Sequence, residues 1–302
     1  MAATHPVLES PPKSSHHAPL ISLLITFYKL LADLRIYPIR ELQLGPHPST
    51  SIDLDTAAEW QFTDPEALDL LYRIPYIVDE HNQGHRLMYE TQSMCYLSER
   101  GDALAFEMAR DPAYQNRMDL IPPHIVNLTH ASNSGENLLY DVRARSITSW
   151  DHFGSKRDDY LDCTFRKMGD PENALVKWIR AYLSLHWVPD DMNWHHAITS
   201  PEKGADEPMD QDVALKKVFE ESGWDIDVLP DRIVDDEDGT LLAATLEDAR
   251  LKATRKFDIH VYTTKKKMWN RRWDDRNCQS RDEDESGNKL VSTSRMRKVT
   301  GD

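Results

Sequence analysis

Apolar residues recur at three- and four-residue steps from Leu20 onward, so that Leu20, Leu23, Leu24, Phe27, Leu30, Leu31 and Leu34 share one face of a helix. Pro38 sets the limit of that helix, because a residue preceding proline is driven out of the helical region. After a Gly45-Pro46-His47-Pro48 loop, Thr63-Asp64-Pro65-Glu66 has the form of a helix start, with side chains that can cap free amides and a proline suited to the first turn. That helix is expected to run to about Arg73 and to end at Pro75. Tyr76 to Val78 and Leu87 to Leu97 read as two strands separated by the polar turn Asp79 to Gly84. The clearest strand signal is Asn137 to Val142 followed by Ser146 to Trp150. These apolar and β-branched runs flank the polar Arg143-Ala144-Arg145 and predict a hairpin. Asp170-Pro171-Glu172 opens a further helix through Leu175, Trp178, Ile179, Tyr182 and Leu183, ending near Pro189. Helices are also expected at Val213 to Ser222 and over residues 240–257, with a short strand at Asp258 to Thr263.

These elements predict an α+β fold, with helices packed on a small, mostly antiparallel sheet and disordered N- and C-terminal segments. Residues 1–18 are rich in Pro, Ser and His without an apolar period and read as a disordered leader; residues 19–264 read as a single domain. The polar stretch Thr199 to Asp212 is the candidate subdivision, and residues 265–302 read as a basic, disordered tail. No internal repeat is visible.

Composition narrows the function classes. The 302-residue chain carries a formal charge of −15, which favours solubility and repels phosphate, so its bulk does not suit nucleic acid or an anionic membrane. Residues 265–302 hold 11 Lys/Arg against 7 Asp/Glu, a net of +4 that leaves −19 for the remainder. Nucleic acid is therefore expected only through that tail. Cys95, Cys163 and Cys278 are odd in number and far apart, which fits a reducing compartment and neither a disulfide framework nor a zinc knuckle. No signal peptide is expected, and Leu20 to Leu34 is too short for a bilayer span and contains Lys29 and Asp33. Asn127-Leu128-Thr129 accordingly carries no weight as a glycosylation site. The expected location is cytoplasmic, or nuclear by way of the tail.

Few constellations suggest chemistry. Asp79-Glu80-His81 with His85 offers oxygen and nitrogen ligands, but Asn82 and Gly84 favour a solvated turn. Asp190-Asp191 precedes His195-His196, and Asp191 and His195 are spaced to interact if the segment is helical, so that a carboxylate orients an imidazole as a base or zinc ligand. Without a partner set elsewhere in the chain, a surface loop is the preferred reading. Asp235-Asp236-Glu237-Asp238-Gly239 resembles part of a calcium loop, yet aligning Gly239 on the loop glycine leaves Thr245 where a bidentate Glu is required, so an acidic turn is kept. Lys265-Lys266-Lys267-Met268-Trp269-Asn270-Arg271-Arg272-Trp273 mixes cations with indoles, a recipe for single-strand or import contacts as well as for a solvated tail. Trp150, Trp178, Trp187 and Trp224 are expected in the core. No phosphate-binding glycine loop or nucleophile elbow is present. No catalytic residue, cofactor or metal is assigned.

The runs "LLADLRIYP", "DPEALDLLYRIPYI", "LLYDVRARSITSWD" and "WIRAYLSLHWVPDD", over about residues 20–225, resemble a lineage-restricted group of filamentous-fungal proteins. The "YDVRARSITSW" hairpin also resembles the SUKH superfamily, whose α+β domains act as protein-interaction or immunity modules. That resemblance implies binding and brings no catalytic residues. The leading expectation is a non-catalytic module that binds a protein partner or small ligand. Its rivals are an accessory enzyme of fungal secondary metabolism using His195 or His81 with neighbouring carboxylates, and a nuclear protein acting through its tail.

Overall fold

The computed structural model describes residues 16–78, 86–88, 90–98, 103–112, 120–132, 135–151, 163–188, 210–230, 233 and 236–268, and has the α+β class. The first helix, α1 (Ala18–Asp33), has Pro19 in its first turn and buries Leu20, Leu23, Leu24, Phe27, Leu30 and Leu31, the face the spacing selects. Arg35, at φ +67°, turns the chain away from the helix well before Pro38. The folded body begins earlier than expected. His17 belongs to it, because its ring is buried against Tyr140, while residues 1–15 lie outside the described residues.

A 3-10 turn at Ile39–Glu41 leads into β1 (Leu42–Gln43), then α2 (Leu54–Glu59) and α3 (Pro65–Leu71). Asp64 caps α3, accepting from the amides of Glu66 at 3.0 Å and Ala67 at 3.2 Å. β2 (Tyr76–Ile77) pairs with β1 and not with the Leu87 to Leu97 segment that follows it in sequence. That segment is itself two strands, β3 (Arg86–Met88) and β4 (Thr91–Ser93), because Glu90 at φ +47° reverses the chain between them. After α4 (Ala103–Arg110) come β5 (Ile125–Asn127) and β6 (Thr129–Ala131); β6 completes the three-stranded sheet β3-β4-β6.

The expected hairpin is present as β7 (Asn137–Asp141) and β8 (Ser146–Trp150), in the antiparallel sheet β5-β7-β8-β9 with β9 (Arg166–Lys167) at its edge. Its turn dispenses with Asn-Gly. The Asp141 carboxylate accepts from the amides of Arg143 and Ala144, both at 2.9 Å, and Arg145 takes φ +50°. Asn127 is fully buried and donates from its side-chain amide to Asn137 Oδ1 at 3.2 Å, so the sequon is a core element.

Next is α5 (Ala174–Leu183), capped by Asn173, whose Oδ1 accepts from Val176 N at 2.9 Å; Asp170, the residue expected to open it, instead accepts from Glu172 N one turn earlier. α6 (Asp210–Glu221) and α7 (Thr240–Thr254) follow. The strand expected at Asp258 to Thr263 is helical. Residues 259–268 form α8, because Asp258 Oδ1 accepts from the amides of His260 and Val261 and so starts a helix. The expected unstructured tail therefore does not begin at Lys265. Lys265 Nζ reaches the Glu221 carboxylate at 2.7 Å and Lys266 lies over the Tyr262 ring; residues 269–302 lie outside the described residues.

α1 packs between α5 and α7, and α5 lies on the sheet over β8. One buried apolar cluster draws on α1, α3, α5, α6, α7 and the sheet, joining residues on both sides of Thr199 to Asp212. A smaller one, with Ile121, Ile125, Leu139 and Trp150, covers the other face of the four-stranded sheet. No helix among the described residues is long and apolar enough to cross a membrane.

Candidate binding cleft

The constellations singled out in the sequence divide by location. Asp79, Glu80, His81 and His85, like Asp190, Asp191, His195 and His196, lie outside the described residues. Asp235 is also outside, but Asp236 and Asp238 can be placed. Asp236 accepts from the amides of Leu241 at 2.8 Å and Leu242 at 3.0 Å, and Asp238 from Thr240 at 2.9 Å, so these carboxylates serve the α7 N-terminus. No group of three or more His, Cys, Asp or Glu suited to a metal occurs among the described residues.

One cleft that the structure builds lies at the corner of the four-stranded sheet, between β8 and α5, with a volume of about 370 Å³. α5 makes room for it. Ala174 and Ala181 present only methyl groups to the cleft, while Trp178 between them turns its indole inward. The far wall is Trp187, brought back by a reversal in which Leu185 takes φ +49° and the amides of His186 and Trp187 both donate to Ala181 O. Trp187 then meets Tyr182 edge-on at 5.5 Å and Trp178 at 6.3 Å. A leucine in the left-handed region costs about 1–2 kcal/mol, which burial of its side chain offsets.

The sheet side of the cleft is polar. Ile147, Thr148 and Ser149 of β8 and Thr164 line it, and the Ser149 hydroxyl donates to the Glu136 carboxylate in a short hydrogen bond. Arg166, Glu172 and Lys177 form the charged rim with Glu136, and His186 is exposed beside them. The rim charges are paired on the protein: Arg166 hydrogen-bonds Asp170 at 3.0 Å, and Glu172 lies more loosely against Lys177 at 3.7 Å and Arg180 at 3.6 Å. Lining cations and carboxylates balance two against two, although the chain as a whole carries −15.

The strand pairing explains why the corner is open. β9 pairs with β8 only through Ser146↔Lys167 and Ile147↔Arg166, whereas β7 pairs along the whole of β8. The direction of each peptide group follows from the flanking bonds. Met168 N donates to Arg145 O at 3.2 Å, so Arg145, Ile147 and Ser149 turn their main-chain groups toward β9. On the other side of β7, Val142 N donates to His124 O and Leu128 N to Leu138 O, which assigns Asn137, Leu139 and Asp141 to β8 and agrees with that alternation. Ser149 therefore points its N–H and C=O outward, one pair beyond the last rung. Among the described residues no group accepts from its N–H, and its carbonyl meets only the Thr148 hydroxyl at 3.4 Å.

A second polar cluster surrounds Tyr140, the β7 partner of Ile147. His17 hydrogen-bonds Tyr140 Oη through Nδ1 at 2.9 Å and contacts Glu66 through Nε2 at 3.1 Å. Burial holds its pKa below the usual histidine value, against the opposing pull of Glu66. Burial likewise raises the Tyr140 phenol above its ordinary range. Tyr140 is fully buried and no substrate can reach its hydroxyl, so the group acts as a structural tie.

Sequence reasoning placed Trp178 and Trp187 in the core, where both are, but missed that they also wall a cleft. Glu136, Ser149, Arg166 and Lys177 carried no local signal. Only the alanines at 174 and 181 on one helical face hinted at space. The chain matches no protein-family model, no curated protein and no solved structure.

Proposed function

We propose that this protein is a non-catalytic binding module whose ligand seats in the cleft between β8 and α5. The observation that carries the proposal is the open corner itself, a cleft of about 370 Å³ with aromatic walls, a balanced charged rim and, among the described residues, an unpaired main-chain group at Ser149. Such a combination of apolar walls and a few convergent polar groups is how ligand sites are usually built, at volumes of about 300–1,000 Å³. The likeness of the "YDVRARSITSW" hairpin to SUKH interaction modules points the same way, and β8 is the second strand of that hairpin. An intracellular location, in the cytoplasm or nucleus, belongs to the same reading.

Native mass spectrometry on protein purified from its source organism tests it, comparing wild type with Ala181→Trp. Ala181 is partly exposed on the cleft wall, so an indole there extends into the cleft without entering the core. The expected result is a bound species in the wild type that is absent from the variant. Retention of the same species by both proteins overturns the proposal. Turnover of a substrate that a single side-chain change abolishes, in a protein still folded, overturns its non-catalytic part.

A further inference from the structure

We infer that the occupant of the cleft is an extended peptide segment of a partner protein, which adds to the sheet as a short strand against Ser149. This rests on the binding-cleft reading above and deepens it. A strand edge with an outward N–H and C=O is a template for another chain, and peptide recognition by strand addition draws its affinity from such main-chain bonds. Here the template is one residue long before β8 ends at Trp150. It matches a short segment and does not match a further sheet of this size.

Two features of the surroundings define the segment. A residue paired directly with Ser149 sends its side chain to the same face of the sheet as the Ser149 hydroxyl. That face is the one covered by α5, so the side chain enters the space left by Ala174 and Ala181, between Trp178 and Trp187. The space accepts one large side chain with an apolar body, while Lys177 and His186 offer partners to a polar tip. Charge complementarity gives the flanks. Arg166 and Lys177 share the lining with Glu136 and Glu172, so a segment bearing both signs in its neighbouring residues meets opposite charges. A strongly anionic segment is repelled by the net charge of −15.

The test uses a displayed library of random dodecapeptides selected against the full chain. Selected peptides are resynthesised with single N-methyl groups along the backbone, and exchange of the Ser149 amide is followed by NMR. The expected results are recovery of peptides with a recurrent large side chain and flanks of mixed charge, and an N-methyl scan that costs tenfold or more at the single position whose N–H meets the Ser149 carbonyl. Exchange of Ser149 N–H slows at least tenfold on binding, and Ser149→Pro, which removes that donor where an edge strand tolerates proline, weakens the peptides at least tenfold. The exchange measurement needs no variant, so the inference stays testable if Ser149→Pro unfolds. Failure to recover any peptide, a flat N-methyl scan, or unchanged Ser149 exchange overturns the inference. The binding-cleft reading survives that outcome if the ligand is still lost in Ala181→Trp. Peptides that bind Ala181→Trp as tightly as wild type overturn both.

Discussion

At the scale of single residues, two positions bear the tightest demands. Gly169, just after β9, faces the turn that opens α7, and a Cβ built on it would lie 1.4 Å from Asp236 O. Gly239 at φ +82° sits across the same contact, with Met168 O 2.9 Å from its own notional Cβ. Gly169→Ala must therefore push backbone apart, and roughly 2–4 kcal/mol of destabilisation is expected by denaturant unfolding. His17 makes the second demand. Its folded-state pKa is lowered, chiefly by burial, so below pH 6.5 the unfolded chain takes up the proton first. The stability it contributes is complete above pH 6.5 and is lost as pH falls through that value toward the folded pKa. His17→Gln should flatten the fall in stability below pH 6.5, measured as the urea midpoint across pH 5 to 8. An unchanged slope would mean that other groups carry the acid sensitivity.

At the scale of elements, contacts between helices and strands hold what local propensity leaves loose. Asp64 caps α3 and also accepts a hydrogen bond from Arg143 of the hairpin turn at 2.8 Å. Asp64→Ala is expected to cost about 1–2 kcal/mol, mostly through the lost cap, because the Arg143 side chain is 63% exposed and its pairing is screened. Between α1 and α7, Arg250 donates in a two-pronged contact to Glu247 at 2.8 Å and also reaches Asp33. Burial is the first influence on both carboxylates. In Glu247 the bonds from Arg250 outweigh it and hold the group below the usual range, whereas in Asp33 burial prevails and the group sits above it. Arg250→Met leaves two partly buried carboxylates facing each other, and a loss of about 1–3 kcal/mol is expected, less than for a fully buried pair because both carboxylates keep some contact with solvent. A thermal melt at neutral pH checks both variants.

At the scale of the whole molecule, the aromatic cluster of Phe219, Trp224, Phe257 and Tyr262 shows where folding is completed. Phe219 and Tyr262 ring centres lie 4.5 Å apart, and Trp224 meets Phe257 edge-on at 5.5 Å. α8 thus closes the core over α6, and its first turn is not a dispensable tail. A chain ended at residue 258 loses the Tyr262 ring and should be less stable by about 3–5 kcal/mol than one ended at residue 268. Equal melting of the two truncated chains would show that α8 adds nothing to the fold.

The α1 face, the Asp64 cap and the β7–β8 hairpin were legible because each depends on neighbours within a few residues, where periodicity, capping and turn chemistry act. The pairing of Tyr76 with Gln43 was not, since two-residue strands carry no pattern and their partner is decided by which backbone the core brings close. α8 was misread as a strand because its β-branched residues outweighed the Asp258 cap in a short window. α2, α4 and the strands β5 and β6 gave too little periodic signal to be noticed. The cleft belongs wholly to the tertiary structure. Ser149, Arg166 and Lys177 come from three elements, and what makes Ser149 distinctive is a missing rung in a ladder. The sequence by itself determined the α+β class and the acidic body with its basic end, because these follow from local pattern and summed charge. Only the folded chain decided where a strand edge stays open and which walls surround it, because those depend on long-range packing that no local window contains.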